Sequence, residues 1–242
     1  MNDKQSKASA NLPHPTEFED KTRLELIKGY TLNESRTPSG DLLVTTPSQT
    51  IGPFYPKSFI RDEDCDLSRI KPEGPRAEGE YVFFHGRVVD EVGAPVPGAL
   101  MEIWQANRLG KYNHPADKSE HPLDPNFAGF GRTVTDNDGK YSFVSIKPGK
   151  YPNPGYDEWY RPPHIHFSIF AAGLMQRIIT QAYFPGEELN DIDPILNSIQ
   201  DLKVRARLIS KNTPDMIGPD NEPGFQFDIV LRGNQETPFE ID

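Results

Sequence analysis

Hydrophobic and polar positions change their rhythm near Gly79. Beyond it, short runs rich in aromatic and β-branched residues alternate with clusters of Gly, Pro, Asp and Asn, the pattern of strands joined by turns. Tyr81 to Asp90 (YVFFHGRVVD) closes on the turn cluster EVGAPVPG, and Gly98 to Asn107 (GALMEIWQAN) closes on the loop RLGKY. Thr135 to Gly139 (TDNDG) predicts a hairpin turn, and KYSFVSI after it predicts a strand ending at Lys147-Pro148-Gly149. A proline-rich loop from Tyr151 to Pro163 leads into HIHFSIFA, then QRIITQAYF and finally FQFDIVLRG. One stretch differs: Ile195, Ile199, Leu202, Ala206 and Ile209 recur at helical spacing and predict a helix between about Pro194 and Ser210. Short strands at regular intervals predict a mainly β fold, an antiparallel β-sandwich with long loops and one or two short helices.

The N-terminal third reads differently. Residues 1–22 are small and charged without periodicity, as expected of a mobile arm. Residues 23–78 hold many turn formers and predict an extended segment packed on the core. Within it Leu24, Leu26 and Ile27 fit one helical turn, and the three prolines of Thr45–Pro56 (TTPSQTIGPFYP) disfavour helix. Residues 79–242 then form the sandwich domain, and 242 residues suffice for one large core.

Composition narrows the function. The formal net charge is −10, with no long basic run, which speaks against nucleic acid as a partner. The longest apolar stretch, Phe167 to Met175, falls far short of the ~20 residues that cross a bilayer, so no membrane partner is expected. A polar N-terminus without the apolar segment of a secretory signal predicts a cytoplasmic chain. Cys65 is the only cysteine, which leaves no disulfide framework and no thiolate metal site.

His164 and His166 carry the first chemical signal. In a strand, residues i and i+2 project to one face about 6.6–6.8 Å apart, and two imidazoles there can close on one metal ion. Alone, the pair fits packed or exposed histidines as well; His14, His85, His114 and His121 lack even such a partner and read as surface or turn residues. A cupin site needs a glutamate soon after, and FSIFAAGLM has no acid; a zinc hydrolase needs further well-spaced ligands. Tyr112 and Tyr151 remain, each following Gly-Lys. Holding a phenol ionised at pH 7 costs about 4 kcal/mol, which a hard trivalent ion such as Fe(III) supplies through phenolate coordination. Two phenolates and a hydroxide neutralise three positive charges, and two neutral imidazoles complete the sphere. On its own, either tyrosine reads better as a packed aromatic at a strand end. Asp136, Asp138 and Gly139 fit a turn better than a calcium loop. Cys65 lies in a charged, turn-rich segment that gives it no catalytic reading, and a salt bridge with Glu158 or Asp157 on its own loop is the lesser alternative for Arg161.

The combination is more specific than its parts. GRVVD from Gly86, GAPVPGALMEIWQANRLGKY, DPNFAGFGRTVTDNDGKYSFVSIKPGKYP and RPPHIHF together resemble the intradiol ring-cleavage dioxygenases, from about Tyr30 to the C-terminal PFEID. The resemblance implies one non-haem Fe(III) per active site, held by Tyr112, Tyr151, His164 and His166. It implies that Arg161 stands beside the substrate with Gln181 across the pocket, and that Tyr151 leaves the iron as substrate binds and takes a catechol proton. Trp104, Tyr30 and Ile195 match pocket walls, and Gly52 and Pro53 lie in a segment (Thr50 to Pro53) resembling the pocket mouth. The implied reaction opens a catechol with O2 between its hydroxyl-bearing carbons to a cis,cis-muconate, a step of aromatic compound catabolism in the β-ketoadipate pathway.

Tyr30 and the C-terminus resemble β-type chains of the family. They imply protocatechuate as substrate and a homologous α subunit in an αβ-based oligomer, with residues 23–78 also packing on that partner. The large N-terminal helical segment of the catechol and hydroxyquinol enzymes has no room here. One departure is Asn153, where close relatives carry tryptophan; it leaves open another substituted catechol, such as 4-sulfocatechol. Transthyretin-like binding modules without a metal resemble the same strands, but they do not account for the four matched ligand positions.

Overall fold

Twelve strands build the described part of the chain, and turn chemistry decides where each stops. In order they are β1 (Tyr81–Val89), β2 (Leu100–Trp104), β3 (Phe130–Val134), β4 (Lys140–Ile146), β5 (Tyr151–Pro152), β6 (Tyr160–Arg161), β7 (His164–Phe170), β8 (Ile178–Tyr183), β9 (Lys211–Thr213), β10 (Gly224–Gln226), β11 (Ile229–Val230) and β12 (Glu240–Ile241). The computed structural model describes residues 65–153, 159–174 and 176–241. The N-terminal arm, the turn at Leu24 to Ile27, the Thr45–Pro56 stretch and the candidate site residues Tyr30, Gly52 and Pro53 lie outside the described residues, as do His14, Asp157 and Glu158.

The fold is mainly β. Sheet I joins β4, β1, β10, β11 and β9, sheet II runs β12-β8-β7-β2-β3, and β5 and β6 pair separately. Alternation along β1 sends Val82, Phe84 and Val88 inward, and Ile165, Phe167 and Ile169 of β7 meet them from sheet II in one buried core. Phe84 stacks on Phe143 and Phe225 and meets Phe184 edge-on. Truncating a ring so placed costs about 3–5 kcal/mol.

Four sequence expectations change. The TDNDG turn forms: Asp136 Oδ1 accepts from the backbone N–H of Asp138 and Lys140 at 2.9 and 2.8 Å. It is not a hairpin, because β3 pairs with β2 in sheet II while β4 pairs with β1 in sheet I. The sandwich is also not purely antiparallel, since β10 and β11 run parallel to β1. They split the expected FQFDIVLRG strand at Phe227–Asp228, where the Asp228 carboxylate takes the Arg87 N–H and the Phe227 carbonyl takes the Tyr141 hydroxyl. The expected helix from Pro194 to Ser210 breaks into α1 (Pro194–Asn197), α2 (Leu202–Arg205) and a 3-10 turn at Ala206–Leu208. Asp201 is extended and caps the second piece through its carboxylate, which ends the first. Its apolar residues Leu196, Ile199 and Leu208 still share a side and pack with Tyr183 of β8.

Among the described residues no helix is long and apolar enough to cross a membrane.

Candidate metal centre

Both faces of β7 are buried, which the outer face of a two-sheet sandwich does not require. The inner face carries Ile165, Phe167 and Ile169; the outer face carries His164, His166 and Ser168. Register then gathers the neighbours. Trp104 of β2, His166 and Gln181 of β8 stand in one cross-strand row, and His164 stands opposite Tyr183. The Trp104 indole lies flat on the His166 imidazole, with ring centroids 4.8 Å apart and planes 8° from parallel.

The tyrosines arrive on loops. Asn107, just beyond β2, organises the first: its side-chain oxygen accepts from the N–H of Leu109 and Lys111 at 2.9 and 3.0 Å, and its carbonyl accepts from Gly110 and Gly149 at 3.0 and 2.9 Å. The Tyr112 N–H donates to Asp117 Oδ2 at 2.8 Å, which Lys111 also engages. Two glycines let the loops touch backbone to backbone. A Cβ on Gly110, whose φ is +79°, would sit 2.3 Å from the Lys150 carbonyl oxygen, and one on Gly149 would sit 2.3 Å from that of Arg108. Each Gly-Lys-Tyr therefore needs its glycine because the other loop lies against it. Tyr151 continues into β5, directly opposite Arg161 of β6.

These elements bring four donors together. The Tyr112 hydroxyl donates to Tyr151 Oη at 3.5 Å, Tyr151 Oη lies 3.1 Å from His164 Nε2, and His164 Nε2 lies 3.2 Å from His166 Nε2. All four side chains are buried. Among the described residues no group of three or more His, Cys, Asp or Glu is placed to hold a metal, so a metal here draws on the phenols.

The donor set fits a cation of high charge. His164 donates its Nδ1–H to the Pro162 carbonyl at 2.7 Å, which turns the bare Nε2 toward the centre. Facing that lone pair at 3.2 Å, His166 holds its own proton on Nε2 when no metal is bound, and its buried Nδ1 then has no hydrogen-bond partner. A metal held here would take both imidazoles through Nε2, with the His166 proton on the otherwise orphaned Nδ1. Burial, helped by the Arg161 charge, pushes His164 well below the usual imidazole range and His166 down to about 3, so both stay neutral ligands. Burial pushes the Tyr112 phenol well up, with Tyr151 adding to the effect, and raises Tyr151 against the opposing pull of Arg161. Only a strong Lewis acid draws protons from phenols held this way.

Arg161 stands at the edge of this group. Its Nε donates to Asp193 Oδ1 at 3.1 Å, and its Nη2 donates to Gln181 Oε1 and Tyr183 Oη, each at 2.9 Å. Burial opposes the charge, but Tyr183, Tyr151 and Asp193 outweigh it and hold the guanidinium ionised. Among the described residues its carboxylate partner is Asp193, distant in sequence.

The structure brings Tyr112, Tyr151, His164, His166, Arg161, Gln181 and Trp104 into one cluster. Ile195 is half-buried on α1, beside Pro194. Asn153 donates its N–H to the Trp159 carbonyl at 2.7 Å, extending the β5–β6 pairing by one step. His85 is half-buried on β1, its Nε2 2.8 Å from the Thr213 hydroxyl. Asp193 and Tyr183 went unnoticed in the sequence. Asp193-Pro194 is a helix-start signal, and Tyr183 shares the face of Gln181 by strand alternation, so both had a readable cue.

The family model described as dioxygenase matches residues 51–233. The protocatechuate 3,4-dioxygenase beta chain of Burkholderia cepacia is 43% identical over 188 residues, 78% of this chain and 80% of that one. The protocatechuate 3,4-dioxygenase alpha chain of Pseudomonas putida is 32% identical over 209 residues, 82% and 97% of the two chains. Among solved structures, the dioxygenase domain of a dioxygenase and carbohydrate-binding protein fusion from Streptomyces sp. SirexAA-E superposes with a TM-score of 0.55 at 28% identity, over 77% of this chain and 97% of that chain. The fold and these relatives define an oxidoreductase of the dioxygenase class. The chain belongs to the intradiol ring-cleavage dioxygenase family.

Proposed function

We propose that the chain is a non-haem ferric intradiol dioxygenase acting on protocatechuate, opening it between the two hydroxyl-bearing carbons to 3-carboxy-cis,cis-muconate. The observation that carries this reading is the convergence of two buried phenols and two neutral imidazoles, with no carboxylate among them, beside a buried guanidinium. Tyr112, Tyr151, His164 and His166 would hold the iron. Ferric iron, when bound, supplies the Lewis acidity that chelates a catechol and makes its ring reactive toward dioxygen.

The chain's own residues supply the rest. Tyr151 Oη, the member of the set nearest Arg161 in the β5–β6 pairing, is the atom to accept a substrate hydroxyl proton. Arg161 stabilises negative charge developing on the ring, a preorganised electrostatic role, and Gln181 shares its Nη2. Trp104, flat against His166, keeps water from that side. Matches to both alpha and beta chains of protocatechuate 3,4-dioxygenase support an αβ-based oligomer.

A panel of catechols tests the substrate. Protocatechuate should exceed catechol at least tenfold in kcat/KM, about 1.4 kcal/mol of discrimination, with consumption of one O2 per ring. Asn153 makes 4-sulfocatechol the informative competitor. Catechol turned over as well as protocatechuate, or a clear preference for the sulfonate, overturns the substrate assignment. A yellow semialdehyde product overturns the cleavage position.

A further inference from the structure

Asp193 has no exposed surface, and it touches three separate elements of the site. Its Oδ1 accepts from Arg161 Nε at 3.1 Å and from Trp159 Nε1 at 3.2 Å, while Oδ2 accepts from the Leu196 N–H of α1 at 3.3 Å. Its own backbone is fastened on both sides, the N–H to the Leu189 carbonyl at 2.9 Å and the carbonyl to the Asn197 N–H at 2.9 Å. The carboxylate is therefore a fixed post. Arg161, 3% exposed, is held along two edges of its planar fork: Nε by Asp193, and Nη2 by Gln181 and Tyr183. Tyr183 in turn donates to Gln181 Oε1 at 3.0 Å, closing that edge. Among the described residues Nη1 makes no hydrogen bond to protein, so it is the donor left for an external anion.

We propose that Asp193 is a positioning residue that fixes the Arg161 guanidinium so that Nη1 meets the negative charge on the bound ring. This rests on the ferric dioxygenase reading given above. Because the Asp193 carboxylate cancels the guanidinium charge, what the pair contributes is a directed N–H donor rather than net positive charge. The same carboxylate anchors Trp159, which precedes β6, and starts the helix carrying Ile195. One side chain thus couples the guanidinium to two parts of the surrounding wall.

The test is a mutant cycle on the iron-loaded protein, Arg161→Ala, Asp193→Asn and both together, with a second measurement on metal-free protein. Asp193→Asn keeps an acceptor oxygen and the side-chain volume. It should retain iron and the visible spectrum, lower kcat about tenfold with little change in KM, and add less than twofold to the loss in Arg161→Ala. In metal-free, nitrogen-15-labelled protein, the Arg161 Nε–H should exchange with water at least tenfold faster in Asp193→Asn than in wild type. Independent, multiplying losses in the double variant overturn the proposal, and so does unchanged Nε–H exchange. If Arg161→Ala itself leaves kcat unchanged, the role given to Arg161 falls instead. If Asp193→Asn fails to fold, the metal-free Arg161→Ala protein decides: stability equal to wild type means that Asp193 was not committed to Arg161, which also overturns it.

Discussion

His164 and His166 sit two residues apart on one strand, and the ladders to β2 and β8 fix their direction. Tyr112 and Tyr151 are 39 residues apart on loops that meet only because Gly110 and Gly149 let the two backbones touch. The strand half is held by cooperative sheet hydrogen bonds and a packed core beneath it. The loop half depends on Asn107, Asp117 and two positions where a single methyl group collides with a carbonyl. The histidines therefore form a rigid platform, and the tyrosines are the half that small backbone changes displace.

The largest disruption removes the platform. His164→Ala or His166→Ala should weaken metal binding by more than the ~10–100-fold typical of losing an outer partner, and metal analysis after dialysis reads it directly. Arg161→Ala removes none of the four donors. It should retain the metal while kcat falls by ~10²–10³, and it should lower the stability of the metal-free protein by about 3–5 kcal/mol because Asp193 is left buried and unpaired. Unchanged unfolding of that variant in urea speaks against the buried pair.

Gly110→Ala tests the loop half alone. Its φ of +79° and the 2.3 Å approach to Lys150 predict roughly 1–3 kcal/mol of destabilisation and a loss of metal affinity of about tenfold. The same change at exposed Gly93, where a Cβ meets nothing within 4 Å, controls for the positive φ of +82°.

The gentlest probe is pH. Both imidazoles are depressed in the folded, metal-free chain, His166 to about 3, so the unfolded chain binds more protons below the ordinary histidine value of ~6.5. Their contribution is present in full above pH 6.5 and is lost as the pH falls toward 3. The fold should take up about two histidine protons on unfolding near pH 5, and His166→Gln should reduce the slope of stability against pH by about 1.4 kcal/mol per unit.

The histidine half was legible because strand period 2 alone aims i and i+2 at one face. The tyrosines became neighbours in the sequence only through the family resemblance, since their contact comes from two glycine approaches that no local pattern encodes. Turn chemistry at Asp136 read correctly while its strands parted into different sheets, because pairing is a non-local choice. Helical spacing from Ile195 to Ile209 was real, yet Asp201 preferred to cap and broke it. Asp193 stayed hidden because the guanidinium it serves is 32 residues away.

Metal content and the visible spectrum of the purified protein test the central claim most directly, since the claim is that two phenols and two imidazoles form one ferric centre. The account predicts one iron per chain and a red-brown colour from phenolate-to-iron charge transfer, weakened when Tyr112 is replaced by phenylalanine. A colourless protein carrying one zinc per chain and no iron would contradict it.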